Sequence, residues 1–326
     1  MFSTTLRDRS PAGSPAQRPR LRAEEPAPGA DLLRVQDLTV RYGGPSGATA
    51  VRDVSFDIGR GERIALVGES GSGKTTLAMA VAGFLPPEAH VTTTAMEFAG
   101  RSISDRRPGR LPRRTPGMAM VFQDAMTSLD PVWSVGSQLL AVLRADGRTS
   151  RSDDDARARG WLRRVGLTDT DRVMRARPYE LSGGMRQRVM MALALCGQPR
   201  LLIADEPTSA LDASLARATM DLLLELTSTT QTSLLIVSHD IHLCLDYSDR
   251  TFVMYQGDLV EQAASADLAS RARHPYTRGL LRCIPTLADV GRDYLPTLDA
   301  VMAESRLAVA AGGELDDGAE LARGAA

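Results

Sequence analysis

The stretch GESGSGKTT, residues 68–76, holds the one lysine among the 39 lysines and arginines of this 326-residue chain. Its spacing, G-x-x-x-x-G-K-[ST] from Gly68 to Thr75, is that of a loop that cradles phosphate. The small residues Gly68, Ser70, Gly71, Ser72 and Gly73 let successive backbone N–H groups turn inward around an anion. A helix opening directly behind the loop adds its unpaired N–H groups and its dipole. Lys74 then reaches the β- and γ-phosphates of a nucleotide, and Thr75, followed by Thr76, offers a hydroxyl to Mg²⁺. An ammonium is a compact charge on a flexible stem. A guanidinium is a wide planar fork that a curled backbone ring cannot enclose. Arginine can replace lysine on a solvated surface, but not inside such a ring.

A second group of reactive side chains supports this chemistry. The apolar run LLIADEP ends in two acids, Asp205 and Glu206. Asp205 suits a water-mediated hold on Mg²⁺. Glu206 is then placed to face the γ-phosphate, where it can orient and polarise an attacking water. Taken without the phosphate loop, the same two acids read equally well as caps of the next helix.

The elements that position these groups follow from hydrophobic period. LLRVQDLTVRY and VRDVSFDI alternate apolar and polar residues and read as short strands, with the loop GGPSGATA between them. RIALVG, MAMVFQD, RLLIADEP and TSLLIVSHD are continuous apolar runs, the pattern of strands buried on both faces of a parallel sheet. TTLAMAVAGFL and ASLARATMDLLLELTS are apolar at helical spacing, so GESGSGKTT falls at a strand-to-helix turn. From about Met126 to Tyr179 the pattern is helical, which implies an inserted helical subdomain of about residues 126–180. LSGG then opens a further helix, MRQRVMMALALCG. Strands alternating with helices predict a mainly parallel α/β sheet.

Composition bounds the remaining possibilities. A formal net charge of −1, 43% hydrophobic residues and 24% charged residues are ordinary for a globular domain. The near-neutral balance gives no whole-chain attraction to nucleic acid. Cys196, Cys244 and Cys283 are widely spaced and form no C-x-x-C pair, so neither a disulfide framework nor a zinc site is expected. No apolar run approaches the roughly 18 residues of a membrane helix, and residues 1–31 lack the apolar stretch of a signal peptide and read as a disordered tail. An extension follows from 266 to 326, ending in the acidic, frayed GGELDDGAELARGAA.

LSGGMRQR, Leu181 to Arg188, resembles the signature motif of the ATPase subunits of ABC transporters. The resemblance covers about residues 32–262 and implies that family's fold. This is α/β, a P-loop NTPase core with a mainly parallel sheet, an antiparallel β subdomain and an inserted helical subdomain, with the ABC ATPase domain spanning 32–265. It also implies roles. Ser182, Gly183 and Gly184 would cap the γ-phosphate held by the phosphate loop of a partner subunit, so that two subunits enclose two ATP molecules head to tail. Tyr42 resembles the aromatic that stacks on adenine. Gln123, in VFQD, is similar to the glutamine that touches Mg²⁺ and the water and links to the helical subdomain. Asp212, in SALD, resembles the loop crossing the dimer interface, and His239, in SHD, the histidine that contacts the γ-phosphate.

Finer strings resemble one branch. MTSLDPVWSVG (126–136), GMRQRVMMALAL and HPYTRGLLRCIP (274–285) are similar to the oligopeptide, dipeptide and nickel importers. Met185 after LSGG is similar to the D-type subunit, which pairs with an F-type ATPase subunit. The implied partners are that subunit or a second copy of this chain, two integral-membrane permeases and, indirectly, an extracytoplasmic substrate-binding protein, with no nucleic acid. The implied location is peripheral, on the cytoplasmic face of the plasma membrane. D-type subunits often carry a cysteine cluster associated with an iron–sulfur centre beyond HPYT. Here only Cys283 lies in that region, so ATP and Mg²⁺ are expected and no cluster is. That departure keeps the nickel or metal-chelate branch open. The alternative is a soluble ABC ATPase acting on nucleic acid or ribosomes. Against it stand the lack of a tandem ATPase or long coiled-coil insertion, and a basic run limited to RRPGRLPRR, Arg106 to Arg114.

Overall fold

A computed structural model of the chain describes residues 31–43, 47–104, 115–123, 128–146, 151–209 and 211–283. The N-terminal tail up to residue 30, the run Arg106–Arg114, the Met126 start of the helical subdomain, Ala210 of SALD and everything after Cys283 lie outside the described residues.

The strands form two sheets among the described residues. The first is antiparallel: β1 (Leu33–Tyr42) pairs with β2 (Ala48–Ile58), with β4 (Ala89–Thr92) and with β5 (Ala95–Phe98), and β5 pairs with β6 (Arg101–Ser102). β2 begins at Ala48, so strand takes up the end of what reads as the loop GGPSGATA. The second sheet runs β11 (Asp258–Ala264), β10 (Arg250–Tyr255), β3 (Arg63–Val67), β9 (Ser233–Ser238), β8 (Leu201–Asp205), β7 (Met118–Val121). Every neighbouring pair in it is parallel except the β10–β11 hairpin.

The continuous apolar runs are explained by burial on both faces. On one face Ala65, Val67, Leu202, Ala204, Leu234 and Ile236 enter one core. The intervening Ile64, Leu66, Leu201, Ile203, Leu235 and Val237 enter another. A strand whose two side-chain rows are both covered has no polar row to show. Helix α1 (Lys74–Ala82) buries Leu77, Ala78 and Val81 in the second core, between the parallel and antiparallel sheets. Phe56 of β2 meets Phe252 of β10 edge-to-face there, centroids 5.7 Å apart at 64°.

The first core holds the other helices. α2 (Val135–Asp146), α3 (Arg151–Arg164) and α4 (Thr170–Arg175) form a helical unit between β7 and the next helix. Leu139, Leu143, Trp161 and Leu162 pack it onto α5 (Gly183–Cys196), whose Val189, Met191 and Ala192 are buried with them. α6 (Ala213–Thr230) and α7 (Ile241–Tyr247) complete that face. α8 (Ser265–Arg271) and α9 (Pro275–Arg282) are not set apart from it, since Leu268, Tyr276 and Leu281 belong to the same core.

Phe252 is 1% exposed and joins the two sheets. Phe252→Ala is expected to remove about 3–5 kcal/mol of unfolding free energy, the usual cost of emptying such a site. A lowered urea midpoint with an unchanged slope checks it.

Candidate functional site

The parallel register sets the site. Val67 of β3 lies beside Ser238 of β9, Val237 beside Asp205 of β8, and Ala204 beside Val121 of β7. Gly68, His239, Glu206 and Gln123 therefore all leave the sheet at its carboxyl edge, within a residue or two of one another along the strands. Open α/β sheets bind ligands at that edge.

From β3 the chain turns through the phosphate loop into α1, and two glycines are fixed by sterics. A Cβ on Gly68, at φ +151, would lie 2.2 Å from the Met254 carbonyl oxygen of β10. A Cβ on Gly73, at φ +102 as the N-cap of α1, would lie 2.3 Å from the Ala50 carbonyl oxygen of β2. The loop is thus pressed between both sheets. Ser72 closes it from below, its carbonyl accepting from the Gly257 N–H at 2.9 Å and its N–H donating to Glu69 O at 3.2 Å. The Ser72 hydroxyl is buried without a hydrogen-bond partner among the described residues. Ser70 and Gly71 stand exposed at the rim.

Lys74 is 6% exposed, yet its ammonium is not without partners. Nζ donates to the carbonyl oxygens of Gly68, at 2.7 Å, and Glu69, at 2.8 Å. Burial lowers its pKa, and the charges of Glu206, Asp205 and Glu69 oppose that shift. The ammonium therefore sits inside the loop's own ring, held by two neutral carbonyls and attracted by nearby acids.

Thr75 is exposed and donates its hydroxyl to Asp205 Oδ1 at 3.1 Å. Asp205 is 3% exposed. Burial raises its pKa, as does Glu206, while the Thr75 hydrogen bond and Lys74 pull it down. An accessible hydroxyl in front of a buried, strained-for-charge carboxylate is a donor pair for a hard divalent cation. Among the described residues no three His, Cys, Asp or Glu gather to hold a metal unaided.

Glu206 follows Asp205 with φ +49, a left-handed backbone rarely adopted by residues other than glycine. Its N–H donates to Val237 O at 2.8 Å, which holds it there. The turn carries the carboxylate to His239, whose Nδ1 lies 2.8 Å from Glu206 Oε2. A carboxylate accepts there, so Nδ1 is assigned a proton. His239 is the exposed member and Glu206 the sheltered one.

Tyr42 ends β1 half-buried, its hydroxyl 3.5 Å from Thr76 Oγ1, so its ring borders the start of α1. Gln123 is exposed just past β7. Ser182 caps α5 by accepting from Met185 N at 3.4 Å, and Gly183 and Gly184 are exposed with it. Asp212 caps α6 by accepting from Leu215 N at 3.0 Å. The structure thus brings together Tyr42, residues 68–76, Asp205, Glu206 and His239. Ser182 and Asp212 are engaged with the first turns of their own helices instead.

Two contacts were not foreseen from the sequence. The Gln187 side chain of α5 donates to Pro207 O at 2.5 Å, tying the LSGG helix to the residue after Glu206. The Glu69 N–H donates to the hydroxyl of Tyr276 in α9 at 2.9 Å. The strings GMRQR and HPYT were visible, but nothing in them signals what they touch.

Comparison with known proteins bears on these groups. A family model described as ABC transporter matches residues 51–209, and one described as oligopeptide/dipeptide transporter, C-terminal region, matches residues 260–308. The dipeptide transport ATP-binding protein DppD of Haemophilus influenzae is 38% identical over 275 residues, 83% of this chain and 82% of that one. The oligopeptide transport ATP-binding protein OppD of Salmonella typhimurium is 39% identical over 274 residues, again 83% and 82%. Among solved structures, cbiO1 of Clostridium perfringens, part of the ABC transporter complex cbiONQ, aligns with a TM-score of 0.60 at 28% identity, covering 73% of this chain and 90% of that one.

The Lys74 ammonium is buried between two loop carbonyls, and a planar guanidinium is a wider group with a different donor geometry. Lys74→Arg is expected to weaken Mg·ATP binding at least tenfold, as much as Lys74→Ala, with an unchanged circular dichroism spectrum. Titration with a fluorescent ATP analogue checks both.

Proposed function

Since this chain belongs to the ABC transporter family of ATP-binding subunits, we propose that its ATP hydrolysis drives peptide import through two membrane permeases. We assign the chemistry to residues 68–76, Gln123, Asp205, Glu206 and His239. The observation that carries this assignment is the pair of bonds at the sheet's carboxyl edge, Thr75 to Asp205 and His239 to Glu206, on either side of Lys74.

The loop N–H groups and the start of α1 bind the phosphates. Lys74 keeps the Gly68 and Glu69 carbonyls and turns its third N–H donor to the β- and γ-phosphate oxygens, whose negative charge compensates its buried ammonium better than neutral dipoles alone do. Thr75 and, through a water, Asp205 would hold Mg²⁺, which would supply neutralising charge on the phosphate oxygens. Glu206 accepts the proton of the attacking water. His239 keeps that carboxylate in place through Nδ1, and its other nitrogen is free for the γ-phosphate or the water. The transition state is loose, so positioning and electrostatics supply most of the acceleration. Tyr42 stacks on adenine, and Gln123 lies between the site and the helical unit.

Ser182 to Gly184 present an exposed serine, two glycines and a helix N-terminus with no charge of their own. This supports their engaging the nucleotide of a second ATPase subunit, F-type or another copy of this chain, with Asp212 at the same interface. Val132, Trp133 and Tyr179 are large apolar side chains left 72%, 55% and 62% exposed on the helical unit. Val132 and Trp133 line a hollow with Arg175, Arg177 and Glu180. Such a patch supports docking of a permease. No helix among the described residues is long and apolar enough to cross a membrane, so attachment through the permeases, at the cytoplasmic face, fits. The named relatives are peptide-transport proteins, which favours peptides over nickel chelates as cargo and disfavours the nucleic-acid alternative.

Glu206→Gln is expected to keep Mg·ATP affinity within threefold and to lower turnover by about 10²–10⁴, the usual worth of a positioned general base. Steady-state phosphate release set beside nucleotide affinity checks it, and normal turnover in this variant would overturn the assignment. His239→Ala should lower turnover as well while sparing affinity.

A further inference from the structure

Helix α9 reaches the nucleotide loop through a hydrogen bond. The Tyr276 hydroxyl accepts the Glu69 N–H at 2.9 Å. That N–H belongs to the same peptide unit as the Gly68 carbonyl, which accepts from Lys74 Nζ at 2.7 Å. In a trans peptide the two groups point in opposite directions. One plane is therefore held on one side by the C-terminal helix and on the other by the phosphate-binding ammonium. Gly68, lacking a Cβ, does little to stop this plane from turning. Without Tyr276, the Gly68 carbonyl could swing away from Lys74.

The helix that supplies the hydroxyl is firmly seated. Glu261 of β11 is buried and accepts the N–H groups of Arg273, at 2.6 Å, and His274, at 3.3 Å. His274 caps α9 by accepting from Tyr276 N at 3.2 Å, and Pro275 opens the helix. The Tyr276 ring is fully buried and stacks on Tyr255 of β10 with centroids 4.2 Å apart and planes 29° from parallel. Tyr255 is the last residue of the strand beside β3, so the stack stands over the point where the phosphate loop begins. Burial pushes the phenol pKa up to about 12, so the group stays a neutral hydroxyl at working pH.

We propose that Tyr276 is a positioning residue of the nucleotide site, fixing the Gly68–Glu69 peptide so that Lys74 and the loop N–H groups are presented to the phosphates. The extension is then part of the ATP site. Docking of α9 and nucleotide occupancy favour one another, because whatever stabilises one orientation of that peptide stabilises both. This rests on the assignment of residues 68–76 as the triphosphate cradle.

The test compares full-length wild type, Tyr276→Phe and Thr277→Val. The first variant keeps the ring and its stack and removes the hydroxyl alone. The second removes the neighbouring buried hydroxyl, which has no hydrogen-bond partner among the described residues. Tyr276→Phe is expected to raise Kd for Mg·ADP and for a slowly hydrolysed Mg·ATP analogue about two- to tenfold, the worth of one hydrogen bond. It should raise KM for ATP with kcat within twofold, and Thr277→Val should match wild type. Wild-type affinity in Tyr276→Phe, or equal weakening in both variants, overturns the proposal. Failure of the wild type to bind nucleotide would instead overturn the cradle itself. If Tyr276→Phe does not fold, hydrogen exchange on the wild type decides. A Glu69 amide as protected as those of α9 supports the proposal, and one exchanging as fast as the Ser70 amide overturns it.

Discussion

A positive charge almost wholly withdrawn from water is the constraint around which this molecule is arranged. Lys74 cannot be left bare in such a place, since an isolated buried ammonium costs far more than the fold can spare. Two carbonyl oxygens of its own loop satisfy it, and Asp205 and Glu206 lie close enough to favour its charged form. Those carbonyls can face it only because the loop curls where glycine alone is tolerated, pressed by Met254 on one side and Ala50 on the other. The two sheets must therefore close on the loop from both sides before the charge can be housed. Core packing at Phe56 and Phe252 and the chemistry at Lys74 are two aspects of the same closure.

The acids obey the same logic. Asp205 is buried at the end of a strand whose every residue is buried, an environment that opposes its ionisation. The Thr75 hydroxyl and the Lys74 charge partly relieve it. A divalent cation bound there would relieve it further, which is why the pair suits a metal delivered with its nucleotide rather than one held permanently. Glu206, one residue later, leaves the strand by an unusual turn and finds His239 just past the end of β9. Two neighbouring carboxylates thus face different environments and serve different ends.

Much of this was legible in the chain before any coordinates. G-x-x-x-x-G-K-T marks its own geometry, because its first and last glycines lie where a Cβ would strike a carbonyl of a neighbouring strand. RIALVG, LLIAD and SLLIVS announced buried parallel strands through the absence of a polar row. The short strands β4, β5 and β6 were not individually legible, because four residues such as AHVT or two such as RS carry no measurable period. The β10–β11 hairpin, TFVMYQGDLVEQAA, was missed although Gln256-Gly257 marks its turn. Contacts far apart in sequence were the least legible. Nothing in the composition of HPYT says that its tyrosine lies on residue 69, or that Gln187 lies on residue 207. Such pairs are fixed by how helices settle on the sheet, and a one-dimensional pattern does not carry that.

The left-handed backbone at Glu206 has a bearing on how this protein can change over time. A side chain there carries a steric penalty on the order of 1–2 kcal/mol that glycine would escape. Selection for robustness alone would drift toward glycine or asparagine and delete the carboxylate that His239 holds. Position 206 holds an acid against its conformational preference, a small cost in stability tied to the carboxylate that His239 meets. Attempts to harden this domain by sequence averaging should spare it.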